Sequence, residues 1–140
     1  MTLNPSQTSA PLLWTARILS GLVIAFLLID AGMKLVPVKP VIETMQNLGF
    51  ISTPDLARTL GVLLLVCTLL YAIPRTSLVG AVLLTGYLGG AMAIQLRIGN
   101  PIFSHILFGG YIGVLLWAGL LLRNKNVRAL VLPQNSPIPK

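Results

Sequence analysis

The chain has 140 residues, with 9 % charged and 55 % hydrophobic side chains and a mean hydropathy of +0.87. That excludes an ordinary soluble domain, in which about a quarter of residues are charged. The formal charge of +7 does not mark a nucleic-acid binder: the basic residues stand one to three at a time between apolar runs, as they do beside membrane spans.

Met1 to Pro11 is rich in Ser, Thr and Pro and is expected to form a short disordered tail. The first predicted span covers about residues 12–30. It is apolar from Leu12 to Ile29 apart from Arg17, which can snorkel to the headgroups. Its length just meets the ~17–25 residues needed to cross a bilayer core. A cleaved signal peptide competes for this stretch. Against it, no A-x-A site follows, and Asp30 and Lys34 interrupt the region. The longer connection to Asp55 holds Val41, Met45 and Leu48 at helical spacing after Pro40, with Gly49 as a stop. This predicts a short helix on the membrane surface or over the bundle mouth.

The second span is predicted over about 56–73. Thr53, Pro54 and Asp55 start it, and Pro74 to Ser77 end it. It contains Cys67, the single cysteine, which forms no disulfide within the chain and reads as a small lipid- or helix-facing residue. The third span covers about 78–96 and stops at the turn Gly99-Asn100-Pro101. The fourth covers about 102–122, with His105 as its only ionisable group, and ends at Arg123, Lys125 and Arg128. Residues 133–140 read as a flexible tail. Short connections make the last three spans antiparallel neighbours.

The expected fold is therefore all-α: a polytopic membrane protein built as an antiparallel four-helix transmembrane bundle, residues 12–132, with a short surface helix in the first loop. Four spans put both termini on one side, beside Arg17, Arg75, Arg123, Lys125 and Arg128. Lys34, Lys39, Arg58 and Arg97 mark the opposite side. The bias predicts cytoplasmic termini in a plasma (inner) membrane. In the third span Ala81, Thr85, Gly89 and Ala93 recur every fourth residue, with Gly86 and Gly90 beside them. The fourth span has Gly109 and Gly113. Such spacing predicts close helix contact, with the third span at the bundle centre against the fourth. The leucine-rich second span is expected to face more lipid.

Ionisable and polar residues gather at the end away from the termini: Asp30, Lys34, Gln95, Arg97, Asn100 and His105. Asp30 and Lys34 have the i,i+4 order that favours an ion pair. Across the bundle, Asp30 is expected to reach Arg97 or His105. One reading is that these are flanking charges with an ion pair that pins the bundle. The other is a shallow polar pocket for a membrane-soluble ligand such as a quinone, whose carbonyls would take donors from Arg97, Lys34 or His105. Tyr87 and Tyr111 lie deeper and are candidates for lining it. Trp14, Tyr71 and Trp117 read as interfacial anchors or packing residues. One histidine and no cysteine pair make a poor metal site; no Ser-His-Asp arrangement appears, and the single histidine argues against a triad. No phosphate loop is present.

Several stretches carry a resemblance: DAGMKL (30–35), LYAIPRTS (70–77), LTGYLGGA (84–91), RIGNP (97–101), FSHILF (103–108) and GVLLWAGL (113–120). On these the chain resembles the DoxX-like family of small bacterial membrane proteins, from about Leu13 to Leu132. Gln95 stands where relatives often carry histidine, which leaves one histidine at this end. Gly109 stands where they often carry proline, which removes a kink from the fourth span. The resemblance implies a four-helix membrane bundle. It also links the chain to proteins of sulfur oxidation with a quinone acceptor and of redox stress at the membrane. The expected function is a quinone- or lipid-binding accessory component of a membrane redox system, with the bilayer and a redox-complex subunit or a second copy as partners. The alternative is a small transporter. An oxidoreductase acting alone is disfavoured for want of a cysteine pair or cofactor motif.

Overall fold

The computed structural model describes residues 10–36, 38–51 and 54–131. Most of both predicted tails, and the Thr53 cap, lie outside the described residues. Six α-helices follow in order: α1 Ala10–Leu35, α2 Lys39–Asn47, α3 Pro54–Ala72, α4 Ser77–Arg97, α5 Leu107–Arg123 and α6 Lys125–Val131. A π-helical turn, Ile102–Ile106, leads into α5. Four helical stretches are long and apolar enough to cross a membrane: α1, α3, α4 and the π turn joined to α5. The protein is a multi-pass membrane protein built on an antiparallel bundle.

Local sequence explains the boundaries. α1 starts earlier than its apolar run because Pro11 is tolerated in a first turn, where its missing N–H would be unpaired anyway. It ends later because Lys34 pairs with Asp30 one turn back, inside the helix. At 26 residues, α1 extends roughly 39 Å at ~1.5 Å per residue, more than the ~30 Å core. The short surface helix forms as α2, with Pro40 in its first turn and Met45 buried. Gly49 stops it at φ +78°, and Gly99 makes the turn after α4 at φ +74°; side-chain-bearing residues rarely enter this left-handed region.

The four spans form a ring. α1 packs on α3 and α5, and α4 packs on the same two helices. No span occupies the centre, which corrects the expectation for the third span. Gly86, Gly89 and Gly90 are exposed, and a Cβ on any of them would meet no neighbouring atom within 4 Å. Gly109 does meet α4 as expected, since a Cβ there would fall 2.9 Å from Met92 Cγ and 3.3 Å from the Leu88 carbonyl oxygen, but the other close approaches lie elsewhere. A Cβ on Gly80 would fall 2.5 Å from Tyr71 Cα, and one on Gly119 would fall 2.5 Å from Ser20 Oγ. A Cβ on Gly61 would press on the α1 backbone at Ala31 and Leu35. The α3 helix also departs from expectation. It buries Ala57, Gly61, Leu64, Cys67, Thr68 and Tyr71 along its whole length, whereas α4 buries only Ser77, Gly80, Ala81 and Leu84, all in its first half. A four-residue recurrence shows that backbones could approach; it does not show which face a neighbour takes.

Candidate functional site

The bundle is sealed at the termini end by Tyr71. Its side chain is fully buried. The hydroxyl donates to the Leu116 carbonyl on α5 at 2.8 Å and lies 3.4 Å from Ser20 Oγ on α1. Arg123 donates to the Tyr71 carbonyl at 2.6 Å, and its guanidinium stands 4.7 Å from the ring centroid, within cation–π range. Three spans therefore meet at one side chain. In hydrocarbon an unpaired hydroxyl is costly, so such pairings hold helices in register. Of the two expectations for Tyr71, interfacial anchor or packing residue, the second holds. The available signal was that Ser20, Thr68 and Tyr71 are polar groups within apolar runs.

Towards the other end the packing opens. Beyond Leu84, α4 has no buried residue. Between α4 and α5 runs a groove of about 560 Å³, with Gly89 and Met92 on one wall and Gly109, Gly110 and Gly113 on the other. At its deeper end Trp117 Nε1 donates to Thr85 Oγ1 at 2.9 Å. Trp117 is thus a cross-link between two spans. With no side chain from its glycines, the groove is open towards lipid.

The predicted polar residues stand at the expected end but divide into local partnerships. Asp30 and Lys34 form their ion pair, with side chains 30 % and 19 % exposed. Asn100 donates to Gln95 across the α4 turn. Arg97 reaches neither Asp30 nor the bundle interior; it donates to the Leu48 carbonyl at 3.0 Å and fastens the segment after α2. His105 is exposed and shares a 2.7 Å hydrogen bond with Ser104 Oγ. The reason is the π turn. The Ile106 N–H reaches back to the Pro101 carbonyl at 3.4 Å, and this wider turn places His105 outward, where a regular helix was expected. Tyr87 is partly buried against the core. Tyr111 is 51 % exposed on the outer face of α5. Among the described residues no three His, Cys, Asp or Glu side chains gather.

An antiparallel ring of apolar helices, closed by buried hydroxyls at one end and loosened along one helix at the other, defines an integral membrane protein. The model of the DoxX-like family matches residues 18–119, and the chain belongs to that family. None of the curated proteins and none of the solved structures matches it significantly.

Proposed function

We propose that the protein is a non-catalytic component of the plasma (inner) membrane that holds a lipid-soluble molecule, a quinone or a lipid, in the groove between α4 and α5. The observation that carries this reading is the loss of buried contacts along α4 after Leu84, beside a wall of glycines. A flat ring or an acyl chain fits the open part of the groove beside Gly89 and Gly113, where a Cβ would meet no atom within 4 Å, and Thr85 and Trp117 supply a polar contact at its inner end. The cluster around Arg97 and His105 lies at the end where α4 finishes and α5 begins, within reach of a head group leaving the groove. Both termini face the cytoplasm in this reading. The molecule would serve a redox system as an accessory subunit, alone or as a second copy's partner. The transporter alternative draws less support. None of the three acids stands unpaired in the middle of a span: Glu43 is on the short α2, Asp55 opens α3 beside Arg58, and Asp30, in the last two turns of α1, is engaged by Lys34.

The test is ligand content per folded protein after gentle extraction, read by native mass spectrometry. Wild type is expected to carry quinone or lipid in stoichiometric amount. Gly113→Leu places a side chain in open groove space and is expected to reduce that content without loss of folding. Gly86→Leu, exposed and outside the groove, is expected to leave it unchanged. Wild type without bound ligand above background, or equal effects of the two variants, overturns the reading.

A further inference from the structure

The end that Tyr71 seals is also the end where cations accumulate without acids. Arg17 follows the first turns of α1, Arg75 lies in the turn between α3 and α4, and Arg123, Lys125 and Arg128 close α5 and form α6. The Arg123 contact with Tyr71 fixes these ends beside one another. The whole chain has three acids, Asp30, Glu43 and Asp55. All are at the opposite face, and two are already paired there. No carboxylate side chain of this protein can neutralise the five termini-side cations. Arg17, Arg75 and Lys125 are exposed. α6 adds apolar surface at the same level: Val127 is buried against the bundle, and Leu130 and Val131 are exposed.

We infer that the termini face is a docking surface for the phosphate headgroups of acidic phospholipids. Cations set at the ends of spans stand at headgroup depth, where lipid phosphate is the anion at hand. Arginine and lysine bind phosphate oxygens by charge-assisted hydrogen bonds. Leu130 and Val131 place apolar side chains beside those cations, as interfacial helices do. The opposite face, where acids offset most cations, lacks this preference.

The experiment compares lipid retained from equal mixtures of phosphatidylglycerol and phosphatidylcholine by native mass spectrometry. Wild type is expected to retain the glycerol lipid preferentially. Arg75→Gln with Lys125→Gln is expected to reduce that enrichment roughly tenfold. Lys39→Gln with Arg58→Gln, at the other face, should leave it in place. Enrichment should also fall as ionic strength rises from about 0.01 to about 1 M, where the screening length drops from ~30 to ~3 Å. Thermal unfolding of both double variants in detergent checks that each is folded. Absence of a preference in wild type, or equal loss from both pairs, overturns the proposal. So does enrichment indifferent to salt.

Discussion

The hydroxyl of Tyr71 is fully buried, so its two partners decide whether the position can be polar at all. Tyr71→Phe removes the bond to Leu116 and is expected to cost about 1 kcal/mol, typical of an interhelical hydrogen bond. Its steric neighbour is less forgiving. Gly80→Ala forces a Cβ against the Tyr71 backbone, which cannot rotate aside as a flexible side chain would. A loss of about 1–3 kcal/mol is expected. Gly89→Ala, with open space around it, should be silent. Leu64 is fully buried, and Leu64→Ala should cost about 2–5 kcal/mol. Thermal unfolding in detergent ranks the four, and a Gly89 variant as harmful as the Gly80 one would contradict the ring arrangement. Asp30→Ala leaves Lys34 without its partner at the lipid boundary. Because both side chains keep some exposure, the expected cost is about 1–2 kcal/mol, below the ~3–5 of a fully buried pair.

At the scale of helices, the segment after α2 is held by few contacts, of which the bond from Arg97 to Leu48 is one. Arg97→Ala should release it, and amide exchange over Leu48 to Phe50 should quicken while α1, α3 and α5 keep their protection. Unchanged exchange there would mean that Met45 burial alone holds the segment. The helices themselves were legible in sequence. Apolar run length set the spans, and Pro40 with Gly49 bracketed α2. Helix faces were harder to read. An all-apolar span has no polar side to turn outward, so hydropathy does not orient it, and small residues are compatible with either a contact or an exposed groove. The π turn was illegible for a related reason. Pro101 removes a donor, but how the following N–H groups share its carbonyl depends on where α4 and α5 already sit. Of the candidate site, the Asp30–Lys34 pair was readable because it is local, whereas the partners of Arg97 and His105 were set by a loop and by that turn.

For the whole molecule, four spans require both ends of the chain on the same side. A reporter fused after Lys140 should respond as a cytoplasmic protein, and one inserted at Asn47 as an external one. Identical responses would remove the four-span arrangement. The charge distribution sharpens this: the termini face holds five cations near span ends and no acids, while the other face holds all three acids.

The ring of contacts also constrains biogenesis. α3 and α4 are joined by the short turn Ile73–Thr76, and Gly80 nests against Tyr71 across that turn, so the two can enter the bilayer together as a hairpin. The final packing of Ser20 and of the Tyr71 hydroxyl has to wait, because Leu116, whose carbonyl accepts the Tyr71 hydrogen bond, and Gly119, which makes room for Ser20, both belong to the last span. Until α5 leaves the ribosome and the translocon, a nascent chain of three spans leaves the Tyr71 hydroxyl with Ser20 alone as a partner. A chain truncated before Leu116 therefore lacks the bond that locks the finished bundle, and is expected to be cleared from the membrane faster than the full chain.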